Sequence, residues 1–285
     1  MASASLPYQV VTDRIIEKLE QGTVPWRQPW STELPKSLTT KKDYRGINVF
    51  LLGSQGYTNP YWLTFKQGKR LGGHIRRGEK ATPIVFWKWI ERETEEVDEA
   101  GKRVLTSAPM LRYYYVFNLE QCEGIEIPEF KTHQTEPIPR SESIVASMPN
   151  CPVVEHKESR AFYRPLTDTV NMPALDHFSI GEEYYSTLFH ELTHATGHSS
   201  RLDRQDMDKQ RLFGSLDYSQ EELVAEMGAA FLCGNSGIVN RTIDNSTAYI
   251  QGWLKRLRND KRLLVFAGGQ AQKAADYILA SNKDN

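Results

Sequence analysis

The pentapeptide His190-Glu191-Leu192-Thr193-His194 constrains this chain more than any other stretch of it. Two imidazoles at that spacing fall on one face of an α-helix, one turn from each other, but about 13 Å apart on a strand. The flanking residues agree with a helix. Leu188, Phe189 and Leu192 supply a packing face, and the spacing predicts a helix over Ser179 to His194, opened by a Ser179/Glu182 capping box. Gly197 is the expected stop. Within that helix the polar side chains form a chemical set. Neutral imidazoles bind zinc and leave a position open. Bound zinc makes hydroxide available near neutral pH, and a neighbouring carboxylate can take a proton and return it. His190 and His194 are therefore the expected metal ligands and Glu191 the expected general base, in the pattern of a metallopeptidase helix. The plainer alternative is a helix that carries two surface histidines.

Such a site needs a third protein ligand. His198 lies four beyond His194, but Gly197 intervenes. The segment Glu221-Glu222-Leu223-Val224-Ala225-Glu226 is a better source, because a helix there presents Glu222 and Glu226 one turn apart on one face. Glu222 is the expected ligand and Glu226 the expected hydrogen-bond partner of a liganding histidine, with the swapped assignment left open. A purely structural part for Glu222 also exists, as the third residue of a capping box begun by Ser219. A helper for a developing oxyanion has four candidates, Tyr163, Tyr185, Tyr218 and His198, and the sequence does not rank them.

The rest of the chain divides by character. Tyr8 to Glu20 reads as an amphipathic helix, with Val11, Ile15 and Leu19 on one stripe and Gly22 at its end. Pro83–Ile90 and Leu111–Leu119 read as strands, joined through an acidic stretch and the turn former Ala100-Gly101 into an exposed hairpin. Residues 124–150 are rich in proline and poor in periodic apolar positions. They suggest a boundary, with one domain over 1–130, a linker over 131–145 and a second domain over 146–285. A short strand at Ala161 to Pro165 and helices near 219–232, 246–260 and 270–280 follow, the 246–260 helix with Tyr249, Trp253 and Leu257 on one face. The fold class expected is α+β: an N-terminal α+β domain with antiparallel strands, then a mostly helical domain with a short sheet.

Charge is nearly balanced overall, at 35 basic against 36 acidic side chains, yet it is unevenly placed. Between Lys36 and Lys88 eleven basic residues face two acids, Asp43 and Glu79, a local charge of +9. Aromatic residues are interleaved, among them Tyr44, Phe50, Tyr57, Tyr61, Trp62, Phe65, Phe86, Trp87 and Trp89. Cations that follow a phosphate backbone, with rings on which bases stack, are the physics of single-strand binding. The candidate contacts are Lys41, Lys42, Arg45, Trp62, Lys66, Lys69, Arg70, Arg76, Arg77 and Lys80. The competing account is a solvated basic face over ordinary core aromatics. Cys122, Cys151 and Cys233 are odd in number and far apart, which fits reduced, mostly buried thiols in a cytoplasmic protein better than a disulfide framework. No signal peptide or membrane span is expected.

Two sets of motifs resemble a known family, the ArdC-type antirestriction proteins of conjugative plasmids. In the first half they are Gly22 to Trp30, Tyr44-Arg45-Gly46-Ile47-Asn48, Tyr61 to Phe65, Gly72-Gly73 and Arg77-Gly78-Glu79-Lys80. In the second they are His190 to Gly197, Arg201-Leu202-Asp203-Arg204 and Glu221 to Glu226. The resemblance implies a single-stranded DNA-binding domain followed by a zincin-like metallopeptidase domain; the ion expected from the donor set is zinc, with manganese as the alternative. It also implies a part in helping incoming DNA escape restriction. Two other functions fit the residues: a DNA-coating module whose metal is structural, and a peptidase acting on an unidentified protein substrate.

Overall fold

The computed structural model describes residues 5–26, 34–97, 103–126, 128, 137–178, 180–204, 216–238 and 247–280. Its elements run α1 (Leu6–Glu20), β1 (Lys36–Ser37), α2 (Ile47–Gly53), β2 (Tyr61–Leu63), α3 (Phe65–Arg70), β3 (His74–Ile75), β4 (Thr82–Val97), β5 (Arg103–Asn118) and β6 (Cys122–Glu123). There follow α4 (Pro137–Ser147), β7 (Val153–Glu155), β8 (Phe162–Arg164), β9 (Thr169–Asn171), α5 (Gly181–Ala195), α6 (Leu216–Ser236), α7 (Thr247–Asn259) and α8 (Leu263–Ile278). The α+β class is as expected.

Helix α1 buries Val11, Ile15 and Leu19, and Gly22 takes the left-handed backbone (φ +77°) just past its end. Its apolar stripe packs on α7 and α8 from the other end of the chain. Helix α2 is almost wholly apolar and buried. Asn48 is its polar exception and clamps β4, donating to the Val85 carbonyl and accepting from the Val85 N–H, each at 2.8 Å.

The main sheet has the order β1-β2-β5-β4. Strands β1 and β2 are parallel, and the other pairings are antiparallel. The β4–β5 hairpin keeps one register from Thr82↔Val116 to Glu93↔Leu105. The expected turn at Ala100-Gly101 lies outside the described residues. In the second half a short sheet of order β7-β9-β8 lies against α5, through contacts from β8 and β9.

The expected linker is a correction. Of residues 131–145, the stretch from Pro137 onward is helix α4, which packs on α5, α6 and α8 and buries Ser141 and Ile144. Pro137 and Pro139 fall in its first turn, where no N–H is needed for the helix ladder. One apolar cluster runs through both halves, from Val11, Trp26 and Phe50 to Phe189, Phe231 and Leu264. The two capping boxes are also corrected. Helix α5 is preceded by Ile180, with no side-chain cap, and Ser179 lies outside the described residues. Helix α6 begins at Leu216, so Ser219 is inside it and Glu222 is not a capping residue. Among the cysteines, Cys233 is buried, Cys122 half-buried and Cys151 exposed, a less buried set than expected.

Candidate metal centre and basic face

The site begins with a close helix crossing. Gly228 of α6 faces Thr193 of α5, and a Cβ there would meet the Thr193 side chain at 2.4 Å. The missing side chain lets the helices approach, and Glu222, upstream on α6, comes level with the two histidines. His190 Nε2 lies 3.2 Å from His194 Nε2. Glu222 closes the triangle, with Oε2 3.7 Å from His190 Nε2 and Oε1 3.5 Å from His194 Nε2. All three side chains remain partly exposed, at 25%, 14% and 27%. Donors about 2.0–2.1 Å from a tetrahedral ion sit about 3.3–3.4 Å from one another. The triangle is therefore the right size for one ion, and its two nitrogens and one oxygen are a zincin-type donor set. Glu191, 8% exposed, follows His190 on the same helix.

The carboxylate behind the histidines is Glu221, where Glu226 was expected. Glu221 Oε1 stands 3.4 Å from His194 Nδ1. Arg204 fixes it, donating to Oε1 at 2.6 Å while donating also to Thr196 Oγ1 and the Thr193 carbonyl. One guanidinium thus joins the C-terminal end of α5, where the helix dipole favours a cation, to the start of the liganding turn of α6. Burial opposes charge on His194, but the Glu221 hydrogen bond and the charges of Glu222, Glu221 and Glu191 outweigh it and raise its pKa to about 9. Burial likewise acts to raise the Glu221 carboxyl, yet His194 and Arg204 hold it down at about 2. The environment of the triangle favours positive charge, as a cation site should.

Glu226 has other partners. Its Oε2 accepts from Trp26 Nε1 at 2.8 Å and from the Tyr249 hydroxyl at 2.5 Å. Burial pushes its carboxyl up to about 7, against the Tyr249, His190 and Trp26 interactions. Trp26, wholly buried and edge-on to Trp253, comes from the proline-flanked stretch of the first half. Sequence reasoning passed over Arg204, Trp26 and Tyr249; the available signal was the presence of Arg204 and Trp26 in the family motifs. Of the oxyanion candidates, Tyr163 donates to Asp168 and Tyr185 to Glu142. His198 lies past the end of α5 with Nδ1 2.8 Å from Ser200 Oγ. The Tyr218 side chain is outside the described residues.

The basic residues separate cleanly from part of their aromatic escort. Lys41, Lys42, Arg45, Lys66, Lys69, Arg70, Arg76, Arg77 and Lys80 are all exposed. Lys41 and Lys42 lie in the turn after β1, and Gln67 of α3 donates to Thr39 of that turn. The Lys66, Lys69 and Arg70 helix is thereby held beside them. Arg45 pairs with Asp276 of α8, and Arg76 with Glu79 at 2.8 Å. Trp62 is a correction: it is 2% exposed and packs with Leu52, Ile84 and Val116, so it has no face to offer a base. Phe50 and Tyr61 are buried as well, whereas Phe65, Phe86, Trp87 and Trp89 are exposed.

Residues 6–117 match the N-terminal domain of anti-restriction factor ArdC, and residues 140–270 match a zincin-like metallopeptidase family. The fold is similar to crystal structures of the antirestriction ArdC protein from the R388 plasmid. The metal-free form gives a TM-score of 0.76 at 38% identity, over 98% of this chain and 99% of that one. The Mn(II)-bound form gives 0.73 at 37%, over 97% and 99%. The chain is also 38% identical to a DNA primase TraC of Escherichia coli over 98% of its own length, but spans only 28% of that protein. It is 34% identical to the protein y4eC of Sinorhizobium fredii over 97% of this chain and 92% of that one.

Proposed function

The chain belongs to the family of the anti-restriction factor ArdC, and from that premise we propose that it is a cytoplasmic protein that binds single-stranded DNA and holds a divalent metal in a peptidase-type site, protecting incoming DNA from restriction. The observation that carries the metal reading is the triangle of His190 Nε2, His194 Nε2 and Glu222 Oε, with Glu191 beside it. His190, His194 and Glu222 hold the ion, which is zinc by donor type, with manganese as the alternative. When bound, the metal supplies Lewis acidity. Glu221 orients His194 through Nδ1, and Arg204 keeps Glu221 charged and in place. Glu191 takes a proton on its carboxylate and returns it to a leaving amine. The DNA reading rests on the exposed cations from Lys41 to Lys80 and the exposed rings of Phe65, Trp87 and Trp89.

A second reading has its own support. The hydroxyls of Tyr163 and Tyr185 are tied to carboxylates, so neither is poised to steady an oxyanion. The exposed cations from Lys41 to Lys80 also fit a DNA-coating protein whose metal is structural. Metal analysis combined with a Glu191→Gln comparison separates the two. If peptide hydrolysis disappears and restriction protection goes with it, the peptidase reading stands. Protection that survives the loss of hydrolysis assigns the activity to DNA coating.

A further inference from the structure

A cavity of about 730 Å³ opens between β4, α2 and α8, within the roughly 300–1,000 Å³ typical of small-ligand sites. Its walls come from both halves of the chain: Arg45, Trp87 and Leu111 on one side, Leu202, Gly269 and Lys273 on the other. The motif Tyr44-Arg45-Gly46-Ile47-Asn48, which the metal chemistry does not use, contributes four residues in a row to this lining. Gly268 lets α8 come down on the start of α2, since a Cβ there would meet the Ile47 N at 2.8 Å. Gly269, one residue on, has nothing within 4 Å of where its Cβ would be. The close contact at Gly268 brings the two helices together, and the gap at Gly269 leaves the cavity beside them open.

We propose that this cleft seats a base of single-stranded DNA, stacked on Trp87 with its phosphate drawn toward Lys273. The proposal rests on the single-stranded DNA reading above and gives it a location. An indole 48% exposed at the lip of a cavity complements a flat ring, and Lys273, beside the Arg45–Asp276 ion pair at the rim, supplies a cation for the attached anion. The hairpin extends the same chemistry. Trp89, 65% exposed, is the next residue on the Trp87 face of β4, about 6.8 Å further along the strand. That step is close to the repeat of an extended, unstacked nucleotide chain, so a second base meets a second ring. Glu91 follows on that face, and its negative charge ends the path before the acidic stretch. One lining residue, Leu202, stands two positions before Arg204, which holds Glu221 against His194.

The test uses the full chain and a dye-labelled oligothymidylate at low salt, with Trp87→Ala and Gly269→Leu as variants. Trp87→Ala removes the ring and Gly269→Leu fills the cavity from the opposite wall. Both positions are exposed, so melting temperature and metal content should stay unchanged. Each variant should lose roughly tenfold in affinity. If both bind as tightly as the unaltered chain, the cleft is not the seat and the proposal falls, while single-strand binding stands. If the unaltered chain does not bind the oligonucleotide, the DNA reading itself fails and takes the proposal with it. Variants that keep the oligonucleotide but lose cleavage of a casein peptide assign the cleft to peptide, which also overturns it.

Discussion

The metal centre and the basic face are built in opposite ways. Three donor atoms from two helices meet within 4.8 Å, and behind them Arg204 and Glu221 leave little room to move. The basic face draws exposed cations from turns, a short helix and a hairpin, and most of its side chains point into water. A site that must fit one ion has its geometry fixed by the fold. A surface that must follow a flexible polyanion works through many weak, screened contacts. One substitution should therefore abolish the first, while the second should decline gradually.

The largest effect expected is at Glu191. Glu191→Gln should lower peptide hydrolysis by roughly 10²–10⁴-fold, with metal content and oligonucleotide affinity unchanged. Any matching loss of DNA binding would break the separation of the two regions. Next comes the support of His194. Arg204→Leu leaves Glu221 buried without its cation, which should cost about 3 kcal/mol of stability in a denaturant titration. Metal affinity should fall roughly 10–100-fold by chelator competition. Third is the basic face. Replacing Lys66, Lys69 and Arg70 together by Gln should reduce the slope of log affinity against log salt by about 2 for single strands, with metal affinity untouched. An unchanged slope would remove α3 from the DNA path.

The smallest effect is a pH dependence that distinguishes two neighbouring glutamates. The folded pKa of Glu226, about 7, lies above its ordinary value of 4.5. Its contribution to stability is thus fully present below about 4.5 and lost as pH rises through about 7. Glu221 runs the other way, with a folded pKa of about 2, so its contribution is present above 4.5 and lost as pH falls through 2. In the metal-free chain, Glu226→Gln should flatten the fall in melting temperature between about pH 4.5 and 7 and leave the acid side unchanged.

The same contrast explains what could be read in the sequence. His190, Glu191 and His194 are legible because helical spacing alone places them together. Glu222 is legible for the same reason, but the choice between Glu221 and Glu226 is not. Periodicity puts Glu222 and Glu226 on one face, whereas the partner of His194 depends on which side of α6 meets Arg204 and on Trp26 and Tyr249 occupying Glu226. On the basic face, composition counted the aromatic residues but could not sort them. Trp62 and Trp87 look alike in sequence, yet the sheet buries one at 2% exposure and leaves the other at 48%. Helix α4 was hidden because Pro137 and Pro139 resemble a linker until they are placed in a first turn.

The hydrogen bond from Trp26 to Glu226 has a consequence for how such a chain can be inherited. An indole from the first half is sealed beneath a helix of the second, in an apolar cluster both halves share. Cutting the gene between the halves would leave each fragment with an open wound of apolar surface. The smallest piece able to move into a new genetic setting intact is then the whole unit. The Escherichia coli TraC relatives fit this: each matches nearly the full length of this chain, yet that match is only 28% or 20% of a longer polypeptide. Recombination would have to carry the metal centre and the basic face as one cassette, whichever of them selection was favouring.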